Sequence, residues 1–181
     1  MKKIKNYNCC ILIPQNVDVK KNTFFLTLKG PLGLNFINLA KLDKKGLAFI
    51  TICNKKKSIF FSSQSKEFFT CFYNLIKNKI NGITRGFLIY LKIHGIGYRI
   101  QIEKQILNFK VGFSHDVQYI LPKSIRVFLI EPTLICLYGL DKNQITQIAS
   151  KIKQIKKPSV YKGKGIRILN EPIFLKLGKR K

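Results

Sequence analysis

The sequence predicts an α+β protein built from two tandem domains, and three observations support this prediction. Apolar residues first alternate with polar ones, as in strands with one buried face, and then recur at helical spacing. This change of period occurs twice over similar lengths of chain, which indicates a tandem repeat. Only the second half continues into a basic C-terminal extension. We therefore expect domains 1–82 and 83–181, each a small antiparallel sheet covered by one main helix.

Short strands are predicted in the first domain from alternating apolar residues and from the turns between them. Residues 30–33 (Gly-Pro-Leu-Gly) and 43–46 (Asp-Lys-Lys-Gly) are typical turn sequences. The predicted strands contain Val17 and Val19, residues 24–28, residues 34–39 and residues 47–53.

The first helix is predicted where the apolar residues change to helical spacing, between Phe68 and Ile80. Ser65 is a suitable N-cap, because its hydroxyl can accept a backbone N–H that has no partner within the first turn. Gly82 is predicted to end the helix at the position where a left-handed backbone is favoured.

The second domain repeats this order of strands followed by a helix. Asp141 is the predicted N-cap of the second helix, with Gln144 as its capping-box partner, and Pro158 prevents the helix from continuing. Alternating apolar residues at 173–177 predict a final edge strand with Lys176 pointing outward. The other predicted strands are residues 87–93, 98–103, 106–111, 125–130 and 134–138.

The chain carries a large excess of positive charge. Lys and Arg number 34 against 8 Asp and Glu, which gives a net charge of +26 and a pI near 10.1. Such a balance indicates a polyanion-binding protein, whereas 46% hydrophobic residues argue against a disordered chain. No apolar run reaches the roughly 20 residues that a membrane-spanning helix needs. We expect nucleic acid as the partner, and neither a membrane span nor a homo-oligomer.

Residue patterns for catalysis or cofactor binding are scarce. The five cysteines contain no Cys-x-x-Cys pair, so neither a disulfide framework nor a zinc site is predicted. Two Gly-x-Gly pairs occur, Gly95 with Gly97 and Gly163 with Gly165, and neither continues to the third glycine of a dinucleotide-binding motif. Ser114, His115 and Asp116 have the residue types of a catalytic triad, but adjacent side chains point in different directions. We predict no enzyme activity, no cofactor and no metal.

The candidate binding site is the segment 151–181, which holds eleven Lys or Arg against one acid, Glu171. Gly163 and Gly165 alternate with lysines there, so the backbone can approach a partner closely and offer its N–H groups. Tyr161 either packs inside the protein or stacks on a base. The residues predicted to bind nucleic acid are Lys151, Lys153, Lys156, Lys157, Tyr161, Lys162, Gly163, Lys164, Gly165, Arg167, Lys176 and Lys179. The basic run 55–57 is either a second contact or a solvated hairpin.

Several motifs follow one another in an order typical of a known protein family. They are residues 28–33, 82–87, 94–99, 112–115, 139–142 and 161–167, followed by Glu171 and residues 176–179. As an ordered set covering nearly the whole chain, they resemble the large-subunit ribosomal protein L-six family.

The resemblance implies two related α+β domains and a structural role without catalysis. It also implies that the C-terminal domain binds large-subunit rRNA near the sarcin–ricin loop, close to docking translation factors and to neighbouring ribosomal proteins. Ser159 and Val160 depart from the acid and second proline usual in the family. Lys153 and Lys156 stand where the family favours arginine, and lysine lacks the planar fork of arginine. The alternative is a free-standing basic DNA- or RNA-binding protein.

The expected location follows from composition and from the N-terminal residues. About half of the chain is Lys, Ile, Asn, Phe or Tyr, whose codons are rich in A and T. The first residues match neither a signal peptide nor an organelle-import sequence, and the resemblance begins near residue 1. We therefore expect a chain encoded inside an organelle, the mitochondrion before the plastid, with the bacterial cytoplasm as the alternative.

Overall fold

A computed structural model of the chain describes residues 7–39, 43, 46, 48–53 and 57–178. The chain divides into two compact units, Met1–Gly86 and Phe87–Lys181. The described residues of both units contain antiparallel strands and one long helix, so the predicted α+β class is confirmed. The described strands of each unit form two small sheets, where we expected one.

The first unit contains two three-stranded sheets among its described residues. In one sheet the order is β1 (Tyr7–Leu12), β6 (Ser58–Ser63), β5 (Ala48–Cys53), and in the other it is β2 (Asp18–Lys21), β3 (Phe25–Gly30), β4 (Gly33–Asn38). Strands β1 and β6 were absent from the prediction. Strand β6 begins and ends with serine, and both Ser58 and Ser63 are buried although they are polar. Because polar residues occupy buried positions, the strand lacks the alternation of apolar and polar residues on which the prediction relied.

Helix α1 (Lys66–Thr84) packs its apolar stripe into the core of the first unit. Its N-cap is Ser65, as predicted, and the hydroxyl oxygen of Ser65 accepts the N–H of Phe68 at 3.5 Å. Phe72 is buried against Phe61, with 4.5 Å between the ring centroids. Burial of such large apolar side chains is the main favourable contribution to folding of this unit.

The prediction that Gly82 ends this helix was wrong. Gly82 is buried inside α1, and the glycine with a left-handed backbone is Gly86, at φ 75. The helix extends because Ile83 is fully buried and packs against Gly30, where an added Cβ would lie 2.9 Å from Ile83. Tertiary packing thus carries the helix past Gly82, and the left-handed glycine that follows it is Gly86.

The second unit repeats the strand order of the first and adds one strand. The four-stranded sheet has the order β11 (Ile125–Glu131), β12 (Leu134–Gly139), β7 (Phe87–His94), β13 (Gly165–Ile168). The three-stranded sheet has the order β10 (Val117–Ile120), β9 (Ile106–Lys110), β8 (Arg99–Glu103). Thus β7, β12 and β11 correspond to β1, β6 and β5, and β13 has no counterpart among the described strands of the first unit.

Helix α2 (Lys142–Ile155) buries Ile145, Ile148, Ala149 and Ile152 in the second core. Asp141 is its N-cap, as predicted, and a carboxylate oxygen of Asp141 accepts the N–H of Asn143 at 3.2 Å. The amide oxygen of Gln144 instead accepts the hydroxyl of Ser124 at 3.0 Å.

The last strand lies elsewhere than predicted. Residues 171–178 form no strand, and Leu177 is 99% exposed, so the edge strand expected at 173–177 was wrong. The edge strand is β13, which pairs antiparallel with β7 and places Gly165 opposite His94. Ile166 of β13 is fully buried, and this anchors the strand. The basic motif therefore continues directly into a sheet.

Candidate nucleic-acid interface

The chain between α2 and β13 forms a closed loop, residues 159–164, which we call the basic loop. The N–H of Ser159 donates to the carbonyl oxygen of Lys164 at 2.9 Å and closes the loop. The hydroxyl oxygen of Ser159 accepts the N–H groups of Tyr161 and Lys162, both at 3.4 Å. Ser159, which the sequence showed only as a departure from a family pattern, therefore organises this loop.

The two glycines of the motif serve the chain's own packing. The N–H of Gly163 donates to the carbonyl oxygen of Ser159 at 2.9 Å, so it is not the free donor that we expected. Gly165 is buried at φ 142, and an added Cβ would lie 2.7 Å from the carbonyl oxygen of Lys157 and from Cα of Pro158. Glycine at 165 lets β13 lie directly against the chain that leaves α2.

Most of the predicted binding side chains are exposed, on the basic loop, on α2 and in the chain segments next to them. Tyr161 is 62% exposed, so it stands on the surface. Among the described residues these exposed lysines have no ion pair with an acid. Lys179 lies outside the described residues. The exposed lysines are Lys151, Lys157, Lys162, Lys164 and Lys176.

Lys153 differs from these lysines because it is already paired. Its ammonium group donates to a carboxylate oxygen of Glu171, and both side chains are partly buried. The hydrogen bond from Lys153 is the main cause that lowers the pKa of Glu171. The single acid of the basic segment thus neutralises Lys153, although 18 residues separate them.

Lys156 is also engaged inside the protein. Its Nζ lies 4.2 Å from the centroid of the Phe113 ring, within range of a cation–π interaction. This contact holds the turn after β9 against the end of α2. The sequence does not predict the contact between Lys156 and Phe113; its only sign is that Phe113 lies in the motif 112–115.

A pocket of about 430 Å³ lies between the basic loop and the turn after β7. We call it the basic pocket; it is lined by His94, Gly95, Ile96, Lys162, Gly163, Lys164 and Arg167. The turn is fixed by its glycines: Gly97 has φ 73, and a Cβ on Gly95 would lie 2.4 Å from the Tyr98 ring. The pocket joins two motifs that are far apart in sequence.

Two polar atoms beside the basic pocket are buried without a partner among the described residues. They are Nε2 of His94 and Nε of Arg167. Burial, followed by the positive charges of Arg167 and Lys92, lowers the pKa of His94 and favours its neutral form. His94 and Lys92 were not among the predicted site residues; the two-residue spacing on a strand could have placed them on one face.

Groups suited to other chemistry are dispersed or otherwise engaged. Asp116 forms an ion pair with Lys110 at 3.3 Å. The five cysteines are free thiols. Among the described residues, no three His, Cys, Asp or Glu side chains lie together as metal ligands, and no helix is long and apolar enough to cross a bilayer. In the run 55–57, residues 55 and 56 lie outside the described residues, and Nζ of Lys57 donates to the carbonyl oxygen of Gln15 at 2.8 Å.

Comparison with known proteins identifies relatives of the whole chain. Residues 94–168 match the family described as Ribosomal protein L6. The large ribosomal subunit protein uL6m of Prototheca wickerhamii is 41% identical over 194 aligned residues, covering 100% of both chains. The large ribosomal subunit protein uL6 of Erythrobacter litoralis is 34% identical, covering 94% of this chain and 96% of the relative. That of Mycoplasmoides gallisepticum is also 34% identical, covering 95% and 94%.

Proposed function

This chain belongs to the uL6 family of large ribosomal subunit proteins, and from that premise we propose that its second unit binds large-subunit rRNA through the basic loop and the basic pocket. The observation that carries the proposal is the cluster formed by Lys162, Lys164 and Arg167 around one pocket. Phosphates need positive charge and hydrogen-bond donors together, and these side chains provide both.

The exposed lysines widen this surface beyond the pocket. Lys151 on α2 and Lys157 at its end are free of acids among the described residues. Tyr161 is exposed and can stack on a base, which is a common mode of RNA recognition. Folded RNA presents phosphates along a surface, and a broad basic face fits this shape.

The family supports the finer parts of the proposal. Contact near the sarcin–ricin loop, next to the site of translation factors and to other ribosomal proteins, is what membership in this family leads us to expect. The location is the mitochondrial ribosome, as the full-length similarity to uL6m supports. Chemical footprinting of the rRNA with and without the protein tests the position: protection near the sarcin–ricin loop is expected, and protection only elsewhere contradicts it.

The main experiment measures affinity for a large-subunit rRNA fragment as a function of salt. The triple variant Lys162→Ala, Lys164→Ala, Arg167→Ala should bind more weakly. Its slope of log affinity against log salt should fall by about 2 to 3, because each phosphate contact contributes about 0.7 to 0.9. An unchanged slope would show that this surface does not meet the RNA.

A matched control removes the same charge from the first unit. Lys20, Lys29 and Lys66 are exposed, and their joint replacement by Ala lowers the net charge equally. This control should keep most of the affinity if the second unit makes the contact. Equal losses in both triple variants would favour non-specific attraction, as in the alternative of a free-standing DNA- or RNA-binding protein. Sedimentation with the large ribosomal subunit, rather than with DNA, separates the two functions.

A further inference from the structure

Two residues that line the basic pocket each have a buried polar atom without a hydrogen-bond partner among the described residues. Nε of Arg167 and Nε2 of His94 are buried, and neither has a hydrogen-bond partner among the described residues. Buried polar groups in folded proteins nearly always have partners, and an unpaired one destabilises the fold. Two such atoms beside one pocket indicate that a ligand completes the arrangement.

The side chain of Arg167 indicates that one part of this ligand is a phosphate group. Nε and one terminal nitrogen of a guanidinium lie on the same edge, and this edge binds a phosphate through two parallel hydrogen bonds. Nε of Arg167 has no hydrogen-bond partner among the described residues, so this edge has an unused donor. Lys162 and Lys164 line the same pocket and add positive charge.

The side chain of His94 indicates that another part of the ligand is a hydrogen-bond donor. Burial, together with Lys92 and Arg167 on the neighbouring strand positions, disfavours its charged form. A neutral imidazole has one nitrogen that accepts a hydrogen bond. A phosphodiester carries no proton to donate there at neutral pH, whereas the 2′-hydroxyl of a ribose can donate. Ile96, which is 89% exposed at the edge of the pocket, offers an apolar surface to the sugar or base.

We propose that the basic pocket holds one ribonucleotide of the rRNA, with its phosphate on Arg167 and its 2′-hydroxyl donating to Nε2 of His94. This inference rests on the proposed function and specifies which part of the RNA enters the pocket. It makes the contact selective for RNA over DNA, which a purely ionic surface would not be. The lysines supply affinity, and His94 supplies the discrimination.

The test is a scan of single 2′-deoxy substitutions along the rRNA fragment that the full chain binds. With the wild-type protein, one position should lose about three- to tenfold in affinity, as expected for one hydrogen bond. With His94→Phe, intact RNA should bind more weakly by the same factor, and the deoxy substitution at that position should cost nothing further. His94→Gln retains an acceptor and should keep part of the sensitivity.

The matched control is His115→Phe, because His115 is the other histidine of the chain and is exposed outside the pocket. It should leave the deoxy profile unchanged. The inference is overturned if the sensitive position persists in His94→Phe, or if no position is sensitive while the triple variant Lys162→Ala, Lys164→Ala, Arg167→Ala still loses binding. In the latter case the proposed function remains. It fails separately if the triple variant binds rRNA as the wild type does.

Discussion

The two units share one strand order but differ at the edge of one sheet. Strand β1 lies at the edge of the sheet β1-β6-β5 among the described residues, whereas its counterpart β7 is covered by β13. The added strand carries Arg167 on the sheet face opposite the core, directly across from Lys92. A single four-residue strand, attached to a repeated fold, thus adds Arg167 beside Lys92 on this sheet face, and the equivalent sheet of the first unit has no such strand among its described residues.

The outer faces of the two equivalent sheets make the contrast clear. In the sheet β1-β6-β5 of the first unit, the described positions that face away from the core hold no charged residue. They include Cys10, Leu12, Phe49, Thr51, Phe60 and Ser62, and Phe49 is 67% exposed. In the second unit the corresponding face carries Lys92, His94 and Arg167. An uncharged face offers no positive charge to phosphates, even in a chain of net charge +26. The two equivalent sheets therefore differ in their outer surfaces: one is uncharged, and the other is basic.

The largest effect should come from Gly165→Ala, which tests whether β13 creates the difference. The new Cβ would lie 2.7 Å from backbone atoms of Lys157 and Pro158, at a backbone φ that side chains disfavour. Overpacking and strain together should lower the free energy of unfolding by about 2 to 4 kcal/mol. Chemical denaturation measures this change, and hydrogen exchange should show loss of protection in β7.

Gly178→Ala is the control for this change, because an added Cβ there has no atom within 4 Å. It should leave stability and exchange unchanged. If Gly165→Ala were equally silent, β13 would not be the strand that completes the second sheet.

A smaller effect should separate Lys151 from Lys153, two lysines on the same helix. Lys151→Ala should lower the salt slope of rRNA binding by about 0.7 to 0.9 if it contacts a phosphate. Lys153→Ala should change it less, because Glu171 already neutralises this ammonium group. Glu171→Gln releases Lys153 and should raise affinity. Equal slopes for the two lysine variants would contradict the assigned role of Glu171.

The pH dependence of stability should report the same ion pair. The pKa of Glu171 is lowered in the folded protein, chiefly by its hydrogen bond to Lys153, so the pair stabilises the fold above the ordinary pKa of 4.5. This contribution, up to about 1 kcal/mol, should disappear as the pH falls through the lowered folded pKa. The difference in unfolding free energy between wild type and Glu171→Gln measures it. A difference that grows on acidification would contradict the sign.

The smallest effect should come from the uncharged face of the first unit. Replacing Phe49 and Phe60 together by Ser changes two exposed side chains on neighbouring strands. Affinity for the rRNA fragment should stay within about twofold of the wild type, because surface substitutions away from a contact change free energies by about 0.5 kcal/mol or less. A large loss of affinity would show that RNA also contacts this face of the first unit, and would contradict the proposed difference between the two units.

The sequence predicted features that local chemistry decides. Both N-caps, Ser65 and Asp141, were identified because a short polar side chain directly before an apolar stripe can accept the first backbone N–H groups of the helix. The fold class followed from the two changes of hydrophobic period. Ile173 to Leu177 alternates like a strand but forms none, so alternation alone misled the prediction there.

The remaining features depend on contacts between distant residues. The sequence does not indicate that residues 165–168 form a strand, because this short segment contains Gly165 and Arg167 and lies in a basic motif typical of a loop. The pairing of Lys153 with Glu171, and of Lys156 with Phe113, requires the folded chain. Charge in the sequence therefore located the candidate surface, while the structure distinguished engaged cations from free ones.

The position of β13 also has a consequence for the order of events during synthesis. Its partner β7 is the first strand of the second unit to be made, and β13 is the last of the described strands. The nascent unit therefore cannot complete its four-stranded sheet until the ribosome has passed residue 168. Pairings between such distant segments form slowly. In a chain released early, before residue 165, the eight-residue β7 would be the edge strand in place of the four-residue β13, and a longer exposed edge is more prone to aggregation.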